Sequence, residues 1–116
     1  MKTQFHFILL AVLAASFFTP ISSASAASFS CMETDRLNAS EQRVCKSRSL
    51  SALDERLDSW YHRAMKRASY FDFVKELRHE QRHWLRERNS CGGHYWCLRR
   101  AYKQRLRVLR NFVEHV

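Results

Sequence analysis

The sequence predicts an all-α fold: a small, disulfide-clasped antiparallel helical bundle of three main helices plus one short N-terminal helix. Apolar side chains recur every three to four residues through three long segments, and no segment alternates apolar and polar long enough to make a strand. The chain is turn-poor, with two Gly and one Pro in 116 residues, whereas sandwiches and barrels need a turn every few residues. Eight Phe, four Tyr and three Trp supply a core. The basic balance, 20 Lys and Arg against 11 Asp and Glu, is therefore not that of a disordered tail.

Residues 1–26 read as a secretory signal peptide. Lys2 makes a sparse positive start, an apolar run follows over 7–18, and Pro20 breaks it. Ala24-Ser25-Ala26 then offers the small residues of a cleavage site, with cleavage after Ala27 as the alternative. The run is shorter than the roughly 20 apolar residues of a membrane helix, and no second run follows, so no transmembrane span is expected. The sequence before Cys31, Ser28-Phe29-Ser30, is a poor lipoprotein signal. The remaining domain, residues 27–116, carries net charge +8 and is expected to be exported, to a periplasm or to the medium.

The first helix is expected over about 39–47, opened by the capping sequence Asn38-Ala39-Ser40-Glu41. Ser49 is the expected cap of the second. Leu50, Leu53, Leu57, Trp60, Tyr61, Ala64 and Ala68 form its apolar face. Acids in its first half and bases in its second complement the helix dipole. The third runs from about Asp72, read as its cap, to Arg88, with Phe73, Val74, Leu77, Trp84 and Leu85 as its stripe. The fourth spans about 96–113, lined by Leu98, Ala101, Tyr102, Leu106, Leu109, Phe112 and Val113. Short loops make these helices antiparallel neighbours.

Four cysteines, Cys31, Cys45, Cys91 and Cys97, permit three pairings. The favoured one is 31–45 with 91–97, because Gly92-Gly93 can turn the chain tightly inside the second pair. A small exported domain commonly needs such staples. The spacings do not fit a zinc site, and no CxxC redox pair is present.

Polar residues interrupt the stripes. Gln81 and Arg88 fall on the apolar face of the third helix and Arg105 on that of the fourth. Burying such groups demands partners. Glu41 and Asp54 are the obvious acids, giving an expected buried polar network of Glu41, Asp54, Gln81, Arg88 and Arg105.

The same residues belong to a longer ordered pattern. Ser28-Phe29-Ser30-Cys31 opens it, followed by Glu41, Cys45, Leu53-Asp54-x-x-Leu57 and Tyr61. Gln81-x-x-Trp84-Leu85-x-x-Arg88-x-x-Cys91 and Cys97-Leu98-x-x-x-Tyr102-x-x-Arg105 complete it. Over about 28–109 this order and spacing resembles the lysozyme inhibitor LprI-like N-terminal domain family. The resemblance implies a disulfide-clasped helical exported domain that binds and blocks lysozyme, a muramidase. It implies no particular inhibitory residues. A chain at +8 meets basic lysozymes with like-charge repulsion. Glu33 and Asp35, or Asp54, Glu55 and Asp58, are the acidic patches available for docking, and a less basic muramidase is an easier target.

Other groups carry sharper chemical readings. His79-Glu80-Gln81-Arg82-His83 spells HExxH, the zinc-protease signature. Its His pair lies opposite the Leu77/Trp84 stripe, facing solvent, and neither His94 nor His115 stands at a recognised spacing for a third ligand. No metal or cofactor site is expected, and the protein is read as not an enzyme. Arg99, Arg100, Lys103, Arg107 and Arg110 share one face of the fourth helix, a solvated face or an anion- or partner-binding stripe. Tyr95 and Trp96, beside Gly92-Gly93, are candidate loop anchors for a partner or, equally, a cover for the end of the bundle. The two functional expectations are a non-enzymatic envelope binding protein that inhibits a muramidase by steric occlusion, and a binder of anionic envelope polymers or lipid headgroups through the basic face. Nucleic acid is a poor partner for an exported chain without a recognised binding motif.

Overall fold

The computed structural model of the chain describes residues 29–116; the expected signal peptide and its cleavage site lie outside the described residues. A 3-10 turn at Thr34–Arg36 leads into four helices: α1 (Ala39–Cys45), α2 (Arg48–Tyr70), α3 (Val74–Ser90) and α4 (Tyr95–His115). The described residues contain no β-strand. Connections of three and four residues fold α2, α3 and α4 back on one another, and each of the three packs against the other two. The short α1 packs across α2 and α3.

Local chemistry explains each start and stop. At α1 the Asn38 side chain accepts the Glu41 N–H at 3.0 Å, and the Glu41 carboxylate accepts the Asn38 N–H at 3.0 Å. This reciprocal capping box satisfies two donors that the helix itself cannot. The cap of α2 is Ser47, not Ser49: Ser47 Oγ accepts the Leu50 N–H at 3.3 Å. Ser49 sits inside the first turn, where its hydroxyl lies 2.9 Å from the Tyr95 hydroxyl.

Asp72 also departs from expectation. It caps nothing; it takes φ +58° between α2 and α3. The Phe73 N–H reaches back to the Ala68 carbonyl at 3.0 Å, closing α2 in a left-handed C-terminal turn. Reversing the chain in three residues requires that conformation, and Asp is among the few non-glycine residues that tolerate it. Phe73 is consequently 42% exposed and touches the bundle edge-to-face on Phe112. At the other end His94 caps α4, accepting the Cys97 N–H at 3.2 Å.

The core follows the predicted stripes. Leu50, Leu53, Leu57, Ala64 and Ala68 of α2 are buried with Leu77 and Trp84 of α3 and Leu98, Tyr102, Leu106 and Leu109 of α4. Val44 adds α1 to it. Trp84 and Tyr102 meet edge-to-face at 5.3 Å, the favoured geometry of an aromatic pair. The disulfides are Cys31–Cys45 and Cys91–Cys97, so no sulfur remains as a thiolate ligand or nucleophile. The first ties the N-terminal segment to the end of α1. The second closes the α3–α4 connection, where Gly92 at φ +54° makes the turn.

Candidate functional site

Arg88 is the centre of the buried polar structure, and only 1% of it is exposed. Its Nη2 donates to Glu41 Oε1 at 3.3 Å and to Asn89 Oδ1 at 2.8 Å. Its Nη1 donates to the Tyr102 hydroxyl at 3.3 Å and lies 3.9 Å from Asp54 Oδ1. Tyr102 in turn donates to Asp54 Oδ1 at 2.7 Å. Burial, with Asp54 beside it, pushes the Tyr102 phenol above its ordinary range. The guanidinium also lies over the rings of Phe29 and Trp84, at 5.5 and 5.7 Å. Ser40 completes the junction: its hydroxyl reaches the carbonyls of Arg88, Asn89 and Gly92, the last at 2.8 Å. One cation thereby joins α1, α2, α3 and α4.

Gln81 and Arg105 stand apart from this node. Arg105 Nε donates to Gln81 Oε1 at 3.0 Å, and Nη1 to Glu80 Oε2 at 3.4 Å. The acid serving Arg105 is thus Glu80, the glutamate of the HExxH sequence, and not Glu41 or Asp54. Burial lowers the Arg105 pKa, opposed by Glu80. Its Nη2 is buried and has no hydrogen-bond partner among the described residues. Arg105 lines a groove of about 730 Å3 between α3 and α4.

The outer surface holds the remaining predicted residues. Arg100, Lys103, Arg107 and Arg110 are exposed and Arg99 is half-buried; among the described residues none of the five forms an ion pair. Trp96 is 62% exposed, with Arg99 over its ring at 5.8 Å. Trp96, Arg99, Arg100, Lys103 and Arg107 surround a shallow hollow of about 250 Å3. Tyr95 is half-buried: it meets Trp96 edge-to-face at 5.0 Å and carries Arg43 over its ring at 5.7 Å. Arg110 instead covers Trp60, at 5.5 Å. The acidic patches are thinner than the sequence suggests. Asp54 is buried, Asp58 is paired with His62 at 3.3 Å, and Glu33 with Arg36 at 3.3 Å. His79 and His83 are exposed, as expected, but they line the α3–α4 groove instead of lying away from any cleft; the described residues contain no group of three metal-ligating side chains.

A family model described as lysozyme inhibitor LprI matches residues 31–109. The chain belongs to the lysozyme inhibitor LprI family. No curated protein and no solved structure matches it. The LprI match takes in both disulfides, the Arg88 node and the Arg105–Gln81 pair. The residues that carried the resemblance are therefore mostly those that hold the helices together. Trp96 and the exposed cations around it lie in the LprI region yet contribute little to the core. No helix among the described residues is long and apolar enough to cross a membrane.

Sequence reasoning missed four members of these sites. In the sequence Ser40 belongs only to a capping signal and Glu80 only to HExxH, Tyr102 reads as core and as part of the family pattern, and the one cue for Asn89 is an unclaimed polar side chain beside Arg88.

Proposed function

We propose that this chain is an exported, non-enzymatic muramidase inhibitor that acts by steric occlusion, presenting the first turns of α4 to the enzyme's cleft. LprI membership supports the target class. The observation that carries the docking surface is the exposed Trp96 indole set among cations that have no acidic partner in the described residues. A muramidase flanks the scissile glycosidic bond with two carboxylates. An indole offers a flat apolar face suited to a sugar-binding cleft. Guanidinium groups match carboxylates in planar, charge-assisted pairs. A helix fixes the backbone that carries these groups, so binding orders only their side chains.

This contact also answers the problem of like charge. Net repulsion between two basic proteins is screened beyond about 8 Å at physiological salt. Attraction between guanidinium groups and cleft carboxylates acts at contact distance in a poorly hydrated site, where it is strongest. Docking through acids has less support, since Asp54 is buried, Asp58 and Glu33 lie against His62 and Arg36, and Asp35 and Glu55 alone of the five are exposed without an ion pair among the described residues.

Two variants test the surface. Trp96→Ala is expected to weaken inhibition by about 30-fold, the loss of a central aromatic hot spot. Arg99→Glu, Lys103→Glu and Arg107→Glu together are expected to abolish it. Inhibition unchanged by both variants rejects this docking face. The same unpaired cations favour a second reading, binding of anionic envelope polymers or lipid headgroups. That reading requires steep salt dependence.

A further inference from the structure

We propose that the groove between α3 and α4 is a binding site for a zwitterionic, amino-acid-type ligand: a short peptide with free termini. The inference is independent of muramidase binding. At about 730 Å3 the groove falls in the range of small-molecule sites. Its two walls carry opposite chemistry. From α3 come Glu80, Glu87 and the two histidines, and from α4 come Arg100, Gln104 and Arg105. Trp84 and Ala101 supply apolar surface, and the Cys91–Cys97 disulfide bounds one end.

The decisive group is Arg105. It is 6% exposed, yet one of its guanidinium nitrogens, Nη2, has no acceptor among the described residues. A buried guanidinium donor left unmet is unfavourable, and a ligand oxygen supplies what it lacks. Its acid, Glu80, is 56% exposed and holds Nη1 at 3.4 Å, a long contact for a charged pair. A ligand carboxylate that takes that place bonds Nη1 directly, and reaches Nη2, which is shielded from solvent, as the Glu80 side chain swings out, giving two parallel hydrogen bonds. Such fork-to-fork pairing is the strongest available to a guanidinium.

The opposite wall sets the other half of the ligand. Glu87 is 62% exposed, and its one ion pair among the described residues is with His83, at 3.6 Å. Glu80, displaced from Arg105, is a second acid on the same wall. A purely anionic ligand would meet both glutamates, and a purely cationic one would meet Arg100 and Arg105. A ligand with a carboxylate toward α4 and an ammonium toward α3 satisfies both walls.

The test uses the oxidised protein in its exported form, with trialanine as the probe and backbone amide NMR shifts as the readout. Trialanine with free termini is expected to give saturable shifts confined to the α3 and α4 residues lining the groove. The C-amidated and N-acetylated forms are each expected to bind about tenfold more weakly, the loss of one charge-assisted pair. Glu87→Gln, a surface change that leaves the core intact, is expected to weaken the free peptide but not the N-acetylated one. Arg105→Lys keeps the cation and removes the fork, and is expected to weaken the free peptide about tenfold. No saturable shift up to about 10 mM peptide, equal binding of the blocked forms, or binding unaffected by Glu87→Gln would overturn the proposal.

Discussion

Arg88 shows how one side chain can organise a small fold. A cation on an apolar stripe announces burial in the sequence, because its removal from water is tolerable only against acids. Glu41 and Asp54 were readable as those acids for the same reason. Arg105 was equally visible, but its partner was not: Glu80 is exposed, and only the helix packing brings it to the guanidinium. Asn89 and Ser40 were invisible because polar residues near helix ends are ordinary. Replacing Arg88 with Met strips the buried Asp54 carboxylate of its neighbouring guanidinium, and is expected to cost about 3–5 kcal/mol in urea unfolding. Glu41→Gln, at a side chain 21% exposed, is expected to cost about 1 kcal/mol. Tyr102 gives a pH signature. Its folded pKa is raised, so its contribution is complete below the ordinary tyrosine range and is lost as pH climbs above about 10, where the unfolded chain ionises first. Tyr102→Phe should flatten part of that alkaline loss of stability, measured as the melting temperature between neutral and alkaline pH.

The helices themselves were nearly all readable, since stripes of Leu and aromatic residues at helical spacing have few other uses. Their ends were less so. The Asn38 capping box is specific because it needs two matched side chains three residues apart. Ser47 and Ser49 are chemically alike, and only the path of the chain from α1 selects the first. Asp72 reads as a cap because an acid before a helix usually caps it, whereas this turn first needs a residue at positive φ. Asp72→Val is expected to destabilise the protein by about 1–2 kcal/mol, while Asp72→Gly should not destabilise it, in paired thermal unfolding. Ser40→Ala removes the donor that meets three carbonyls at the end of α3. Its expected cost is about 1–3 kcal/mol, with amide exchange accelerated first in the last turn of α3.

At the scale of the molecule, two short-range disulfides and a four-helix junction hold a core that is small for its surface. Cys31–Cys45 closes a 14-residue separation, and replacing both cysteines with serine is expected to cost about 3 kcal/mol in chemical unfolding. The interior thus accounts for most of the family pattern. Trp96 among cations that form no ion pair in the described residues, and the two-signed groove, are separate faces that share one residue, Arg100. Neither was fully readable from sequence. A basic helix face looks the same whether it is solvated or docked, and a groove exists only after two helices have packed. The most direct measurement of what this surface does is titration of basic and acidic muramidases with the oxidised protein, at low and near-physiological salt. Saturable, stoichiometric inhibition of at least one enzyme at both salts is the expected result. Absence of inhibition across the panel, or inhibition that vanishes at near-physiological salt, would contradict cleft occlusion.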